Sequence, residues 1–111
     1  MIPATIYPCN IYVFKGHSLE SARKDLEHIY TEYYKYITQK QFNTPGHTIL
    51  FPDGSIVILL NQDARDNYPI IAHEAFHATE FVMEYIGCKL DDSSSEPYAY
   101  LLTYIVEQII K

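Results

Sequence analysis

The sequence has no tryptophan, only two cysteines, only eight basic residues and no long unbroken apolar run. Each shortage excludes something. Cys9 and Cys88 stand far apart without a CxxC partner, which fits a reduced, cytoplasmic chain rather than a disulfide framework. Eight Lys and Arg against fourteen Asp and Glu give a net charge of −6, and no basic cluster is present to neutralise phosphates. No nucleic-acid partner is expected on that surface. The most apolar stretch, Leu101 to Ile110, is interrupted by Thr103, Tyr104, Glu107 and Gln108 and is too short to span a bilayer, so no membrane association is expected. The first ten residues lack the basic and apolar regions of a signal peptide. What remains is an ordinary globular composition: 111 residues, 48% of them hydrophobic, suited to one domain over 1–111 with a modest core. The eleven tyrosines read as amphipathic core-rim residues. Oligomeric state is left open by the sequence.

Ile6 to Phe14, rich in Ile, Tyr, Val and Phe, predicts a first strand. From Ser18, a plausible N-cap, apolar residues recur at spacings of three and four through Leu19, Ala22, Leu26, Ile29, Tyr33 and Ile37, the pattern of an amphipathic helix. Thr48 to Phe51 and Ser55 to Leu60 are strand-like runs joined by Pro52-Asp53-Gly54, a hairpin signal. The second run is continuously apolar, as in a strand covered on both faces. Asn67 with Pro69 starts a helix that stops at Gly87, and a Ser-rich linker leads into a last helix from about Glu96 to Ile110. The order β-α-β-β-α-α predicts an α+β fold, a small mixed sheet of about three strands with three helices.

The chemistry lies in His73-Glu74-Ala75-Phe76-His77, an HExxH sequence within the helix that follows the hairpin. Residues four apart on an α-helix lie within roughly 40° of each other, one turn apart, so both imidazoles point one way and can bind one metal. Glu74 stands beside them, placed to take a proton from a zinc-activated water attacking a carbonyl and to deliver it to the leaving amine. With five His and eight Glu in the chain, chance would supply about 0.02 such motifs. The structural alternative is two histidines that merely meet polar partners on an amphipathic helix.

A catalytic zinc takes three protein ligands and keeps one open position. Glu96, nineteen residues past His77 and at the start of the next helix, is the best third candidate. Its structural alternative is a capping box in which Ser93 is the N-cap and Glu96 is N3. Pro97 opposes that register, because at N4 its ring conflicts with the N-cap carbonyl, whereas a start at Ser95 or Glu96 leaves the Glu96 side chain free.

In this order and spacing, the HExxH helix and the downstream Glu96-Pro97-Tyr98-Ala99 resemble the gluzincin branch of zinc metallopeptidases. They are most similar to the very small zincin-like forms of phages and mobile elements, including the ImmA/IrrE-type peptidases. The resemblance covers roughly Ile56 to Ile110. It implies His73, His77 and Glu96 as Zn2+ ligands, Glu74 as general base and a peptide or protein substrate. It also implies that the strand Ser55, Ile56, Val57, Ile58, Leu59, Leu60 is the sheet edge along which the substrate pairs. Ala99 would let the last two helices approach closely.

Two departures bear on the site. Where many gluzincins carry an acidic residue that bonds the far nitrogen of a zinc histidine, this chain has Tyr100; Glu80, one turn past His77, reads as a solvated helix charge, with substitution for that acidic residue as the alternative. Larger members of that family have a second lobe that donates an oxyanion partner; none is expected here, so Tyr98, Tyr100, Tyr104 and His47 stand as candidates. Three functions are therefore carried forward. The first is a zinc-dependent metalloendopeptidase. The second is a zinc-stapled, catalytically weak or inactive domain that binds a protein, and the third is a metal-free structural domain.

Overall fold

The computed structural model describes residues 2–3, 10–16, 19–29 and 44–111. Strand β1 is Ile2–Pro3, β2 is Asn10–Lys15, helix α1 is Leu19–Ile29, β3 is Gly46–Leu50, β4 is Ile56–Leu60, α2 is Tyr68–Tyr85 and α3 is Ser95–Ile110. This is the expected α+β arrangement of a mixed sheet with three helices, extended by the two-residue β1. Ile6 to Cys9, Ser18 and the expected continuation of the first helix to Ile37 lie outside the described residues.

The sheet runs in the order β1-β2-β4-β3, with β2 and β4 parallel and the other two pairs antiparallel. Side-chain alternation sorts its residues between two cores. Ile11, Ile56, Ile58 and Leu60 pack with Ile71, Ala75, Ala78 and Val82 of α2 and with Leu101, Ile105 and Ile109 of α3. On the other face, Tyr12, Phe14, Val57 and Leu59 pack with Ala22 of α1. All five residues of β4 are buried, as its unbroken apolar run requires.

That placement overturns one expectation. Ser55 to Leu60 is not a sheet edge, because β4 is hydrogen-bonded to β2 on one side and to β3 on the other. A strand apolar at every position belongs in the middle of a sheet, where both faces and both sides are covered. Among the described residues the edge beside α2 is β3, half-exposed along most of its length. The ladder extends two residues further back than expected, to Gly46 opposite Leu60. Phe51 leaves it for the turn: its N–H donates to the Ser55 carbonyl (2.8 Å) and its carbonyl accepts from Gly54 N–H (3.0 Å). Gly54 at φ +89° supplies the left-handed residue that a three-residue hairpin loop needs.

Helix α2 is bounded as its sequence predicts. Asn67 is extended (φ −89°, ψ 98°), and its side chain accepts from Ile70 N–H; such a cap contributes about 1 kcal/mol. At the other end Gly87 adopts φ +77°. Its N–H donates to the Glu84 carbonyl (2.9 Å) and Cys88 N–H to the Met83 carbonyl (2.8 Å), the paired closure of a Schellman motif. Lys15 Nζ donates to the Ile109 carbonyl at 2.9 Å, tying the end of β2 to the C-terminal turn of α3, where a cation is favoured. No helix among the described residues is long and apolar enough to cross a membrane.

Candidate functional site

Helix α2 carries the motif on its middle turns, and helical spacing brings His73 and His77 together. Their Nε2 atoms lie 3.2 Å apart, with ring centroids separated by 4.8 Å and planes nearly perpendicular at 81°. Two imidazole nitrogens bound to one tetrahedral zinc at 2.0–2.1 Å would stand about 3.3 Å apart. The pair therefore fits two adjacent positions of a zinc site. The separation also suits one N–H···N hydrogen bond, but not two protonated nitrogens facing each other.

Glu80 fixes which nitrogen is free. Its Oε1 lies 3.2 Å from His77 Nδ1, and a carboxylate only accepts, so Nδ1 carries the proton. In the neutral ring the lone pair of His77 then sits on Nε2, facing His73, as ligation requires. Of the two readings offered for Glu80, this contact favours the partner of a histidine over a solvated charge.

Glu74 lies roughly 60–100° around the helix from the pair and is only 6% exposed. Its Oε1 accepts from Thr48 Oγ1 of β3 at 2.7 Å. An open groove of about 300 Å³ runs beside it, lined by Pro45, Gly46, Pro69, Ile70, His73 and Glu74. The edge strand, the carboxylate and one histidine thus border a single space.

The other candidates fall elsewhere. Glu96 is exposed. Helix α3 starts at Ser95 with Ser94 as its N-cap residue, so Pro97 occupies the tolerated first turn and no capping box forms on Ser93. Ser94 instead serves the linker, its hydroxyl donating to the Lys89 carbonyl and accepting from Asp91 N–H. Glu96, Tyr100, Thr103 and Glu107 form the solvent stripe of α3, whereas Tyr98, Leu101, Ile105 and Ile109 face the core. Ala99 is also exposed, and the helix contact it was expected to permit is made by the core stripe. Glu96 is not gathered with the histidines: no three His, Cys, Asp or Glu side chains converge on a possible metal position among the described residues. The reason is the short connection after Gly87, which starts α3 beside the end of α2, where Tyr98 Oη donates to the Cys88 carbonyl at 3.1 Å. His77 lies about 10 Å further back along the helix axis, two turns before Glu84.

That hydrogen bond makes Tyr98 a strut rather than an oxyanion donor. Burial pushes its phenol pKa up, with Cys88, Glu80 and Glu84 adding in the same direction. Tyr100 is 72% exposed, on the solvent stripe of α3. Tyr104 packs on the core shared by α2 and α3. His47 is corrected by strand alternation. It pairs with Leu59, whose side chain belongs to the α1 face, so His47 lies across the sheet from Glu74. The side chains of His17 and His28 lie outside the described residues.

Thr48 is the site residue that sequence reading missed. It lies 26 residues from Glu74, and no local periodicity links the two. The signal that could have found it is alternation along β3, which puts Gly46 and Thr48 on one face. Comparison with protein-family models, with curated proteins and with solved structures finds no match to this chain.

Proposed function

We propose that the protein is a minimal zinc-dependent peptidase. His73 and His77 would hold the metal through Nε2 and Glu74 is the general base; Glu96, the third ligand that the resemblance implies, stands apart from the pair and would have to move to complete the set. The observation that carries this reading is the 3.2 Å Nε2–Nε2 approach with Glu80 on the far nitrogen of His77. Bound zinc supplies a Lewis acid that polarises a carbonyl and lowers the pKa of water. The chain does the rest. Glu80 holds the His77 tautomer, Glu74 takes a proton from the attacking water and passes it to the leaving nitrogen, and β3 offers an edge along which an extended peptide can pair.

The test is cleavage of fluorescein-labelled casein by the zinc-loaded chain and by Glu74→Gln. Loss of turnover with zinc still bound is expected, because only the base is removed. Wild-type cleavage by Glu74→Gln would refute the mechanism. A second reading, the zinc-stapled binding domain, is favoured by the inward hydrogen bond of Glu74. Under it, chelation unfolds the chain and Glu74→Gln changes nothing that the chain does.

A further inference from the structure

The strand that borders the groove also grips the base. A glutamate side chain on a helix has three rotatable torsions, and the helix alone does not choose among them. Two residues of β3 do. Thr48 Oγ1 lies 2.7 Å from Glu74 Oε1 and 3.2 Å from the Glu74 carbonyl oxygen. A hydroxyl has one proton, so the shorter, charge-assisted contact takes it. Gly46, two residues earlier on the same face, supplies the room: a Cβ there would stand 2.9 Å from Glu74 Cγ and 3.1 Å from Glu74 Oε2. Both positions are pinned by the ladder to β4, where Gly46 pairs with Leu60 and Thr48 with Ile58.

We propose that Thr48 and Gly46 are positioning residues for Glu74, making its two oxygens unequal. Oε1 is anchored by the Thr48 hydroxyl. Oε2, lodged in the space a side chain at position 46 would fill, is the oxygen that accepts the proton of the attacking water and returns it to the leaving nitrogen. Because the proton travels on Oε2, the Thr48 hydrogen bond to Oε1 survives the whole cycle. The same strand presents its edge to an incoming peptide, so substrate and base are registered against one backbone. This inference rests on the peptidase reading above.

Thr48→Val removes the hydroxyl at nearly constant shape, and Thr48→Ser restores it. With zinc content unchanged and labelled casein as probe, Thr48→Val is expected to lower kcat about 10- to 100-fold with little change in KM. Thr48→Ser is expected to stay within about threefold of wild type, since it keeps the hydrogen bond. Gly46→Ala should lower kcat in the same way as Thr48→Val. A metal-free measurement runs in parallel. Thr48→Val should lower the Tm of the zinc-free chain by about 5–10 °C, and by much less in a Glu74→Met background where the contact no longer exists. Wild-type kcat in Thr48→Val, while Glu74→Gln is inactive, would overturn the positioning role and leave the peptidase reading standing. So would a Thr48→Ser variant as impaired as Thr48→Val, because packing would then explain both. An equal Tm loss in both backgrounds would overturn the contact itself. Wild-type cleavage by Glu74→Gln would remove the peptidase reading, and this inference with it.

Discussion

Replacing Glu80 with alanine separates a metal site from two histidines that merely meet. The carboxylate accepts from His77 Nδ1 at 3.2 Å, so it holds the ring in the tautomer that presents a lone pair at Nε2 and makes that nitrogen a better donor. Loss of such a partner weakens metal binding about 10- to 100-fold, which is about 1.4–2.7 kcal/mol. The same contact contributes little to folding. The His77 and Glu80 side chains are 43% and 48% exposed, and a contact so solvated is worth about 0–1 kcal/mol. Glu80→Ala should therefore raise the zinc dissociation constant, measured by competition with a chromophoric chelator, while shifting the metal-free Tm only slightly. Glu80→Gln, which keeps an acceptor oxygen without the charge, should fall between wild type and alanine. Glu107→Ala, an exposed charge on α3, serves as the control and should leave zinc affinity unchanged. Equal affinity in Glu80→Ala and wild type, or an equal loss in Glu107→Ala, would refute the argument.

Two further outcomes follow from the packing around α2. At Gly87 an added Cβ meets nothing within 4 Å, so Gly87→Ala should cost only the strain of a left-handed backbone, about 1–2 kcal/mol by denaturant unfolding; a neutral result would mean the closure with Met83 and Glu84 relaxes freely. Tyr98 has a pKa raised above its ordinary 10.0 by burial, then by Cys88, Glu80 and Glu84. Its stabilising contribution is thus complete below pH 10 and is lost as pH rises through the higher folded-state value, where the unfolded chain releases the proton first. Tyr98→Phe should lower stability by about 1 kcal/mol at neutral pH through loss of the hydrogen bond to Cys88, and should flatten the decline seen above pH 10.

The ends of α2 were legible in the sequence because their causes are local. Asn67, Pro69 and Gly87 act within a turn of themselves, and the structure uses Asn67 and Gly87 as read. The His73–His77 approach was legible for the same reason, being an i,i+4 relation on one helix; the i,i+3 contact of Glu80 was within reach of the same reasoning, though sequence alone favours the solvated charge. The interior position of β4 was also written in its five apolar residues, yet the family resemblance pointed to an edge; the covered-strand reading was the correct physical one. What local reasoning could not reach were relations set by long-range pairing. His47 is a candidate by sequence, but strand register with Leu59 turns it to the α1 face. Thr48 meets Glu74 only because α2 packs across β3, and Glu96 falls on the outer stripe of α3 because a short linker fixes where that helix begins.

The most direct test of the central claim, that the His73–His77 pair is a zinc site, is metal content by native mass spectrometry of wild type, His77→Ala and Glu96→Ala after zinc is added back. One zinc per wild-type chain, lost in both variants, is the predicted result. Zinc retained by Glu96→Ala would remove Glu96 from the ligand set, and no zinc on the wild-type chain would contradict the account outright.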